Sequence, residues 1–251
     1  MKKKINNKNK KNTPYYIWGL HASLEAISNQ NRIIKKIFCS QRIFDNVLSM
    51  NLVPEIQINI LKKQDLDSIL EDKTIHQGII IETKPLTYPS FDSILEKENL
   101  IIALDQVTDP QNVGAIIRSV KFFGGKTILI TKDHSAEING ALAKSASGAL
   151  EYIDIIKVTN LSMSLSNLKK KGFIIIGLDE NSDVLLNNLN NYKNSKIVLV
   201  FGSEGKGLRR LTKERCDLLI SISNNNDGNF TTLNVSTAAA VTLYELMNKN
   251  I

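Results

Sequence analysis

From Leu100 onward the apolar residues come in near-unbroken runs, at 100–104, 127–130, 173–178, 197–201 and 218–222. A strand that is apolar at successive positions is buried on both faces. Such runs, separated by stretches with helical periodicity, predict an α/β domain whose parallel sheet carries helices on both faces. The chain before them reads differently. Leu20, Leu24 and Ile27 share one face of a short helix over 21–28. Residues 33–39, 55–61 and 78–83 read as strands, the middle one clearly alternating. Pro85, Pro89 and a mixed polar run mark a linker over 85–98. The predicted order is a disordered basic tail (1–12), a small α/β domain (13–84), the linker, and a larger domain (99–251).

Charge changes this picture little. Of the net +7, six positive charges fall within the first twelve residues, on Lys2, Lys3, Lys4, Lys8, Lys10 and Lys11, leaving +1 for the other 239. The tail reads either as an arm for phosphates or as a solvated terminus. The Lys/Asn start has no apolar leader and no run is long enough to span a bilayer, which predicts a cytoplasmic protein without membrane contact. Cys39 and Cys216 form no CxxC pair, and His21, His76 and His134 are not at ligand spacing, so no metal is expected.

In a parallel sheet, ligands bind beyond the carboxyl ends of the strands, and three runs end in candidate chemistry there. After Leu104 comes Asp105 to Ser119, where Asp109-Pro110 starts a helix carrying Asn112 and Arg118. After Phe201 comes Gly202-Ser203-Glu204-Gly205-Lys206-Gly207-Leu208-Arg209-Arg210, whose glycines allow backbone N–H groups to approach a ligand. Their spacing fits neither a P-loop nor GxGxxG, which disfavours a nucleotide-dependent enzyme. Lys206, Arg209 and Arg210 belong to a local excess of positive charge fit for RNA phosphates. After Ile222, a polar loop from Ser223 to Phe230 leads to Thr232, Leu233 and Asn234 and then a helix rich in small residues, which is core or a subunit interface. Taken singly, each of these polar residues also reads as a cap, a turn or a surface charge.

Together, 105–119, 199–210 and 231–245 resemble the three signatures of the SPOUT superfamily, in the SpoU/TrmH family of RNA ribose 2′-O-methyltransferases. Trp18-Gly19-Leu20-His21-Ala22 and His76-Gln77-Gly78-Ile79 resemble the opening and closing motifs of the N-terminal domain in the RlmB-like subgroup. The resemblance implies a C-terminal trefoil knot, a ribosomal-protein-like RNA-binding N-terminal domain and a homodimer formed through C-terminal helices. It implies S-adenosylmethionine as cofactor and a guanosine ribose of large-subunit (23S) ribosomal RNA as substrate. Matched residue by residue, it implies catalytic roles for Asn112, Arg118, Glu204, Thr232 and Asn234, with Glu204 holding Arg118 or a substrate amine. Backbone around Gly202, Ile222 and Leu233 is implied to surround the cofactor's adenosine. The pattern departs at Ser223-Asn224, where the family usually has Pro-Met, and the loop that follows is slightly longer. Two alternatives stay open: the same reaction on transfer RNA, and a non-catalytic RNA-binding factor in ribosome assembly.

Overall fold

The computed structural model describes residues 14–49, 56–70, 74–223 and 232–247. The tail over 1–12 and nearly all of the loop after Ser223 lie outside the described residues. The chain divides into two compact units between Leu86 and Thr87.

The first unit runs β1 (Tyr15–Trp18), α1 (Leu20–Ser28), β2 (Ile34–Cys39), α2 (Gln41–Ser49), β3 (Gln57–Ile60), α3 (Lys63–Asp67) and β4 (Ile79–Thr83). Its sheet has the order β1-β4-β2-β3. The central strand, β4, is antiparallel to both neighbours, and β2 and β3 are parallel. Ile79, Ile80 and Ile81 of β4 are fully buried, as a central strand with three successive apolar residues requires. Strand β1 has no period in its sequence. It lies at the sheet edge and buries only Ile17 of its four residues.

The two N-terminal motifs, far apart in sequence, meet in this unit. Gln77 has a left-handed backbone (φ 56°), and its Oε1 accepts from Leu20 N–H, the first residue of α1, at 2.9 Å. Gly19 N–H donates to Ile79 O. His76 is buried. Its Nδ1 accepts from Gly78 N–H at 3.0 Å, which leaves Nε2 to donate to Asp67 Oδ1 at 2.8 Å. Motif 76–78 is therefore a turn that closes the first open N–H of α1.

The second unit opens with α4 (Phe91–Ile94) and continues as β5 (Leu100–Asp105), α5 (Pro110–Phe122), β6 (Thr127–Thr131), α6 (Gly140–Ala146), β7 (Asp154–Val158), α7 (Leu161–Lys170), β8 (Ile174–Leu178), β9 (Ile197–Gly202), α8 (Arg210–Lys213), β10 (Leu218–Ile220) and α9 (Val235–Met247). Six strands form one sheet in the order β10-β8-β9-β5-β6-β7, and every adjacent pair is parallel. Side chains alternate across it. Ile101, Ala103, Val198 and Val200 join Ile94, Leu161, Leu165 and Leu168 in one core layer. The period of two sends Ile102, Leu104, Leu199 and Phe201 to the opposite face, where α9 packs on β9 and α5 packs on α6 and α9. Both faces are covered, which is why the strands read as unbroken apolar runs. Strand β7 escaped the sequence reading because it is short, at the edge and interrupted by the exposed Lys157.

Helix α5 forms where Asp109 caps it, accepting from Gln111 N–H at 3.0 Å, with Pro110 in the first turn. Its Gly114 allows α6 to touch it: a Cβ there would lie 2.5 Å from Ser145 Cβ and 2.7 Å from Leu142 O.

Both cysteines are free. Burial pushes the Cys39 thiol up. Burial, then the neighbouring Asp217, pushes the Cys216 thiol up to about 12. A thiol held above the working pH carries little of the reactive thiolate. A disulfide reagent at pH 8 is therefore expected to find no fast thiol in the folded protein and both after unfolding. Rapid labelling of Cys216 in the folded state contradicts this placement.

Among the described residues, no helix is long and apolar enough to cross a membrane, and no group of His, Cys, Asp or Glu could hold a metal ion.

Candidate active site

Strands β5 and β9 are parallel neighbours as far as Asp105 opposite Gly202, so the segments that follow them start side by side. The capped start of α5 fixes Asn112 in its first turn, where it is buried, and Arg118 further along, where it is exposed. Arg118 makes no hydrogen bond or ion pair with a described residue.

One side chain from each of the three strand-end motifs meets the others. Asn112 Nδ2 donates to Glu204 Oε1 at 3.0 Å. Asn234 Nδ2 donates to the same oxygen at 2.5 Å and to Asn112 Oδ1 at 3.0 Å. Helix α9 sets this order. Asn234 Oδ1 accepts from Ser236 N–H at 2.9 Å, Thr237 N–H at 3.4 Å and the Ser236 hydroxyl at 2.6 Å, closing the open donors of the first turn. Its Nδ2 must then face Asn112 and Glu204. Asn112 in turn must present Oδ1 to Asn234 and Nδ2 to Glu204. Glu204 is thus held by two amides, not by Arg118.

Beside this chain of amides lies a cleft of about 370 Å³ at the carboxyl ends of β8, β9 and β10. Gly202, Glu204, Lys206, Ile222, Thr232 and Leu233 all line it. Asn112 and Asn234 do not, but reach it through Glu204. Arg118, Arg209 and Arg210 are not among its lining residues. The Gly202 loop folds tightly on itself: Gly207 N–H donates to Ser203 O at 2.9 Å, and Gly205 and Gly207 have φ of 77° and 62°. A Cβ on Gly202 would lie 2.1 Å from Gly207 C and 2.4 Å from its O. The glycines therefore serve the loop's own close packing as well as any ligand. Gly202→Ala is expected to cost roughly 1–3 kcal/mol by overpacking against backbone. It is also expected to abolish cofactor binding in a calorimetric titration; unchanged stability and binding would contradict the placement of this loop.

One wall of the cleft carried no motif in the sequence. Asp179, Glu180 and Asn181 follow β8 and line it. The available signal was a polar tract directly after an all-apolar strand at the same sheet edge. Burial works to raise the Asp179 carboxyl, but hydrogen bonds from Lys213 and Asn181, with the Lys213 charge, hold it below the usual carboxylate range. Lys213 is ion-paired with Asp179 and Arg210 with Glu214. Arg209 Nε donates to Asp105 Oδ1 at 2.6 Å. Three charges of the basic segment thus already face carboxylates, while Lys206 is exposed and makes no such contact with a described residue.

Residues 99–244 match the model of the SpoU rRNA methylase family, and residues 16–89 that of the RNA 2′-O ribose methyltransferase substrate-binding domain. The chain belongs to the SpoU family. A tRNA/rRNA methyltransferase of Mycolicibacterium paratuberculosis, described as uncharacterized, is 37% identical over 205 residues; the match covers 79% of this chain and 65% of that relative. The chain thus spans about two-thirds of this relative's length. The 23S rRNA (guanosine-2′-O-)-methyltransferase RlmB of Coxiella burnetii is 34% identical over 244 residues, covering 93% of this chain and 95% of the relative. The crystal structure of the SpoU methyltransferase AviRb from Streptomyces viridochromogenes, in complex with AdoMet, shares the fold, with a TM-score of 0.77, 18% identity and coverage of 97% and 93%.

Proposed function

We propose that this SpoU-family chain transfers a methyl group from S-adenosylmethionine to a ribose 2′-hydroxyl, on a guanosine of large-subunit ribosomal RNA. The observation that carries the chemistry is the meeting of Asn112, Glu204 and Asn234 at a glycine-lined cleft, with Arg118 exposed on the helix that carries Asn112. The substrate assignment is supported by RlmB relatives that match over nearly their whole length. Nothing in the chain favours transfer RNA.

The cleft suits the cofactor chemically. S-adenosylmethionine carries a sulfonium and an ammonium beside one carboxylate, and Glu180 and Glu204 supply carboxylates while Asp179 is paired with Lys213; Leu178, Ile222 and Leu233 supply apolar wall. Gly202, Ile222 and Leu233 would hold the adenosine through backbone groups. When bound, the cofactor supplies an electrophilic methyl. The protein's task is to align the hydroxyl with it and to stabilise the alkoxide as its proton leaves. Arg118 does the second. Its guanidinium acts as a charge and a planar fork for the adjoining phosphate, and the hydroxyl proton passes to solvent or to the RNA itself. Asn112, Asn234 and the Thr232 hydroxyl orient the ribose. Lys206 and Arg210 face RNA phosphates.

In this reading residues 13–84 bind substrate RNA, 85–98 link, 99–251 are catalytic, and the chain around the cleft is knotted. A homodimer is supported by the apolar surface of α5 and α9, where Phe122 is 81% exposed and Tyr244 55%. Phe123 joins that surface in edge-to-face contact with Tyr244. The protein works in the cytoplasm.

The test is labelled methyl transfer to unmodified large-subunit ribosomal RNA and, separately, to transfer RNA. Transfer to the first alone is expected. Transfer to transfer RNA alone, or cofactor binding without transfer to either, overturns the substrate assignment. No cofactor binding makes the assembly-factor reading the better one.

A further inference from the structure

Asp105, the last residue of β5, is fully buried, and both its carboxylate oxygens are engaged by one residue. Oδ2 accepts from Arg209 N–H at 3.0 Å and Oδ1 from Arg209 Nε at 2.6 Å. A buried carboxylate needs such charge-assisted partners, and its choice has a geometric consequence. Asp105 stands directly before the segment that delivers Asn112. Arg209 closes the loop that begins at Gly202 and carries Glu204. One carboxylate therefore ties the start of the first motif to the end of the second, gripping Arg209 by backbone and side chain at once. Loop 202–209 is thus anchored at both ends. At its start Gly202 is paired with Asp105 in the sheet register and packed against Gly207, and at its end Arg209 is held by Asp105. What lies between them is Glu204, whose single oxygen receives both amides of the catalytic chain.

We propose that Asp105 and Arg209 form a clamp that positions Glu204 against Asn112 and Asn234, and that Arg209 serves turnover through this clamp rather than as an RNA phosphate ligand. This rests on the methyl-transfer reading above. Asp105 and Arg209 are positioning residues and touch neither ribose nor cofactor. The clamp separates Arg209 from its neighbour: among the described residues Arg210 is paired with Glu214, at the end of the same short helix, an exposed pair that an RNA phosphate can displace at little cost.

The test compares Arg209→Ala, Arg209→Lys, Arg210→Ala and Asp105→Asn in the full chain, reading kcat, KM for ribosomal RNA and the salt dependence of RNA binding. The clamp predicts that Arg209→Ala lowers kcat at least tenfold while RNA affinity and its salt slope stay as in the wild type. Arg209→Lys keeps the charge but lacks Nε–H, so it does not rescue turnover. Arg210→Ala weakens RNA binding and reduces the salt slope by about one. The double variant Asp105→Asn/Arg209→Ala turns over no more slowly than the worse of its parents. If orphaning the buried Asp105 carboxylate keeps Arg209→Ala from folding, Arg209→Lys and the double variant, which leave no unpaired buried charge, decide. Rescue by Arg209→Lys, or a lowered salt slope with unchanged kcat in Arg209→Ala, overturns the clamp. Absence of transfer in the wild type fails the functional reading itself, a different and recognisable result.

Discussion

Replacing Arg118 with alanine is expected to abolish methyl transfer, by roughly 100- to 1,000-fold or more, while leaving cofactor affinity within a few-fold of wild type. The split follows from where the side chain stands. Arg118 is on the exposed side of α5, outside the cleft that Gly202, Ile222 and Leu233 line, and makes no hydrogen bond or ion pair with a described residue. Loss of an exposed side chain leaves no cavity and, among the described residues, no orphaned partner, so the melting temperature should barely move. Lysine at 118 keeps the charge but loses the fork that reaches alkoxide and phosphate together, and should recover only a small part of the rate. Kinetics with a matching calorimetric titration check both points. Loss of transfer and cofactor binding together in Arg118→Ala contradicts the role given to this residue.

The second large effect belongs to the amide chain, where stability and activity should come apart. Asn234 does two jobs with two atoms: Oδ1 closes the first turn of α9 and Nδ2 donates to Asn112 and Glu204. Asn234→Asp keeps the cap and places a second carboxylate against Glu204. The kept cap limits the loss of stability to the repulsion between the two carboxylates, while transfer falls about 100-fold, as for loss of one preorganised donor. Asn234→Ala loses the cap as well and should cost a further ~1 kcal/mol in denaturant unfolding. Glu204→Ala is different again, because it leaves the buried Asn112 amide without its acceptor at roughly 1–3 kcal/mol. Near-wild-type turnover in Asn234→Asp would remove Asn234 from the site.

Much of this was legible in the sequence, and the reasons are physical. Unbroken apolar runs announced a sheet buried on both faces, and the cores on either side of Ile101 and Ile102 show why. Asp109-Pro110 announced α5 because a cap and a first-turn proline act locally. The edge strand β1 buries one residue of four and so leaves no period, and in the edge strand β7 the exposed Lys157 interrupts the apolar run. The contacts that matter most at the site were also not readable, since they join residues far apart. Nothing local tells that Gln77 closes α1, that Asp105 grips Arg209, or that Glu204 takes the amides of Asn112 and Asn234 rather than the guanidinium of Arg118. The glycines of 202–207 were visible as a special loop, but the contact that demands Gly202 is with Gly207, inside the loop itself. The basic cluster over 206–215 looked like one phosphate-binding patch, and the structure divides it according to which charges already face carboxylates.

The most direct test of the central claim is the identity of the methylated product. Large-subunit ribosomal RNA lacking modifications is incubated with the purified protein and labelled S-adenosylmethionine, digested to nucleosides, and the label located. The account predicts 2′-O-methylguanosine, from a single position, absent when Arg118 is alanine. Label on a base, or label on the ribose that persists in Arg118→Ala, would contradict it.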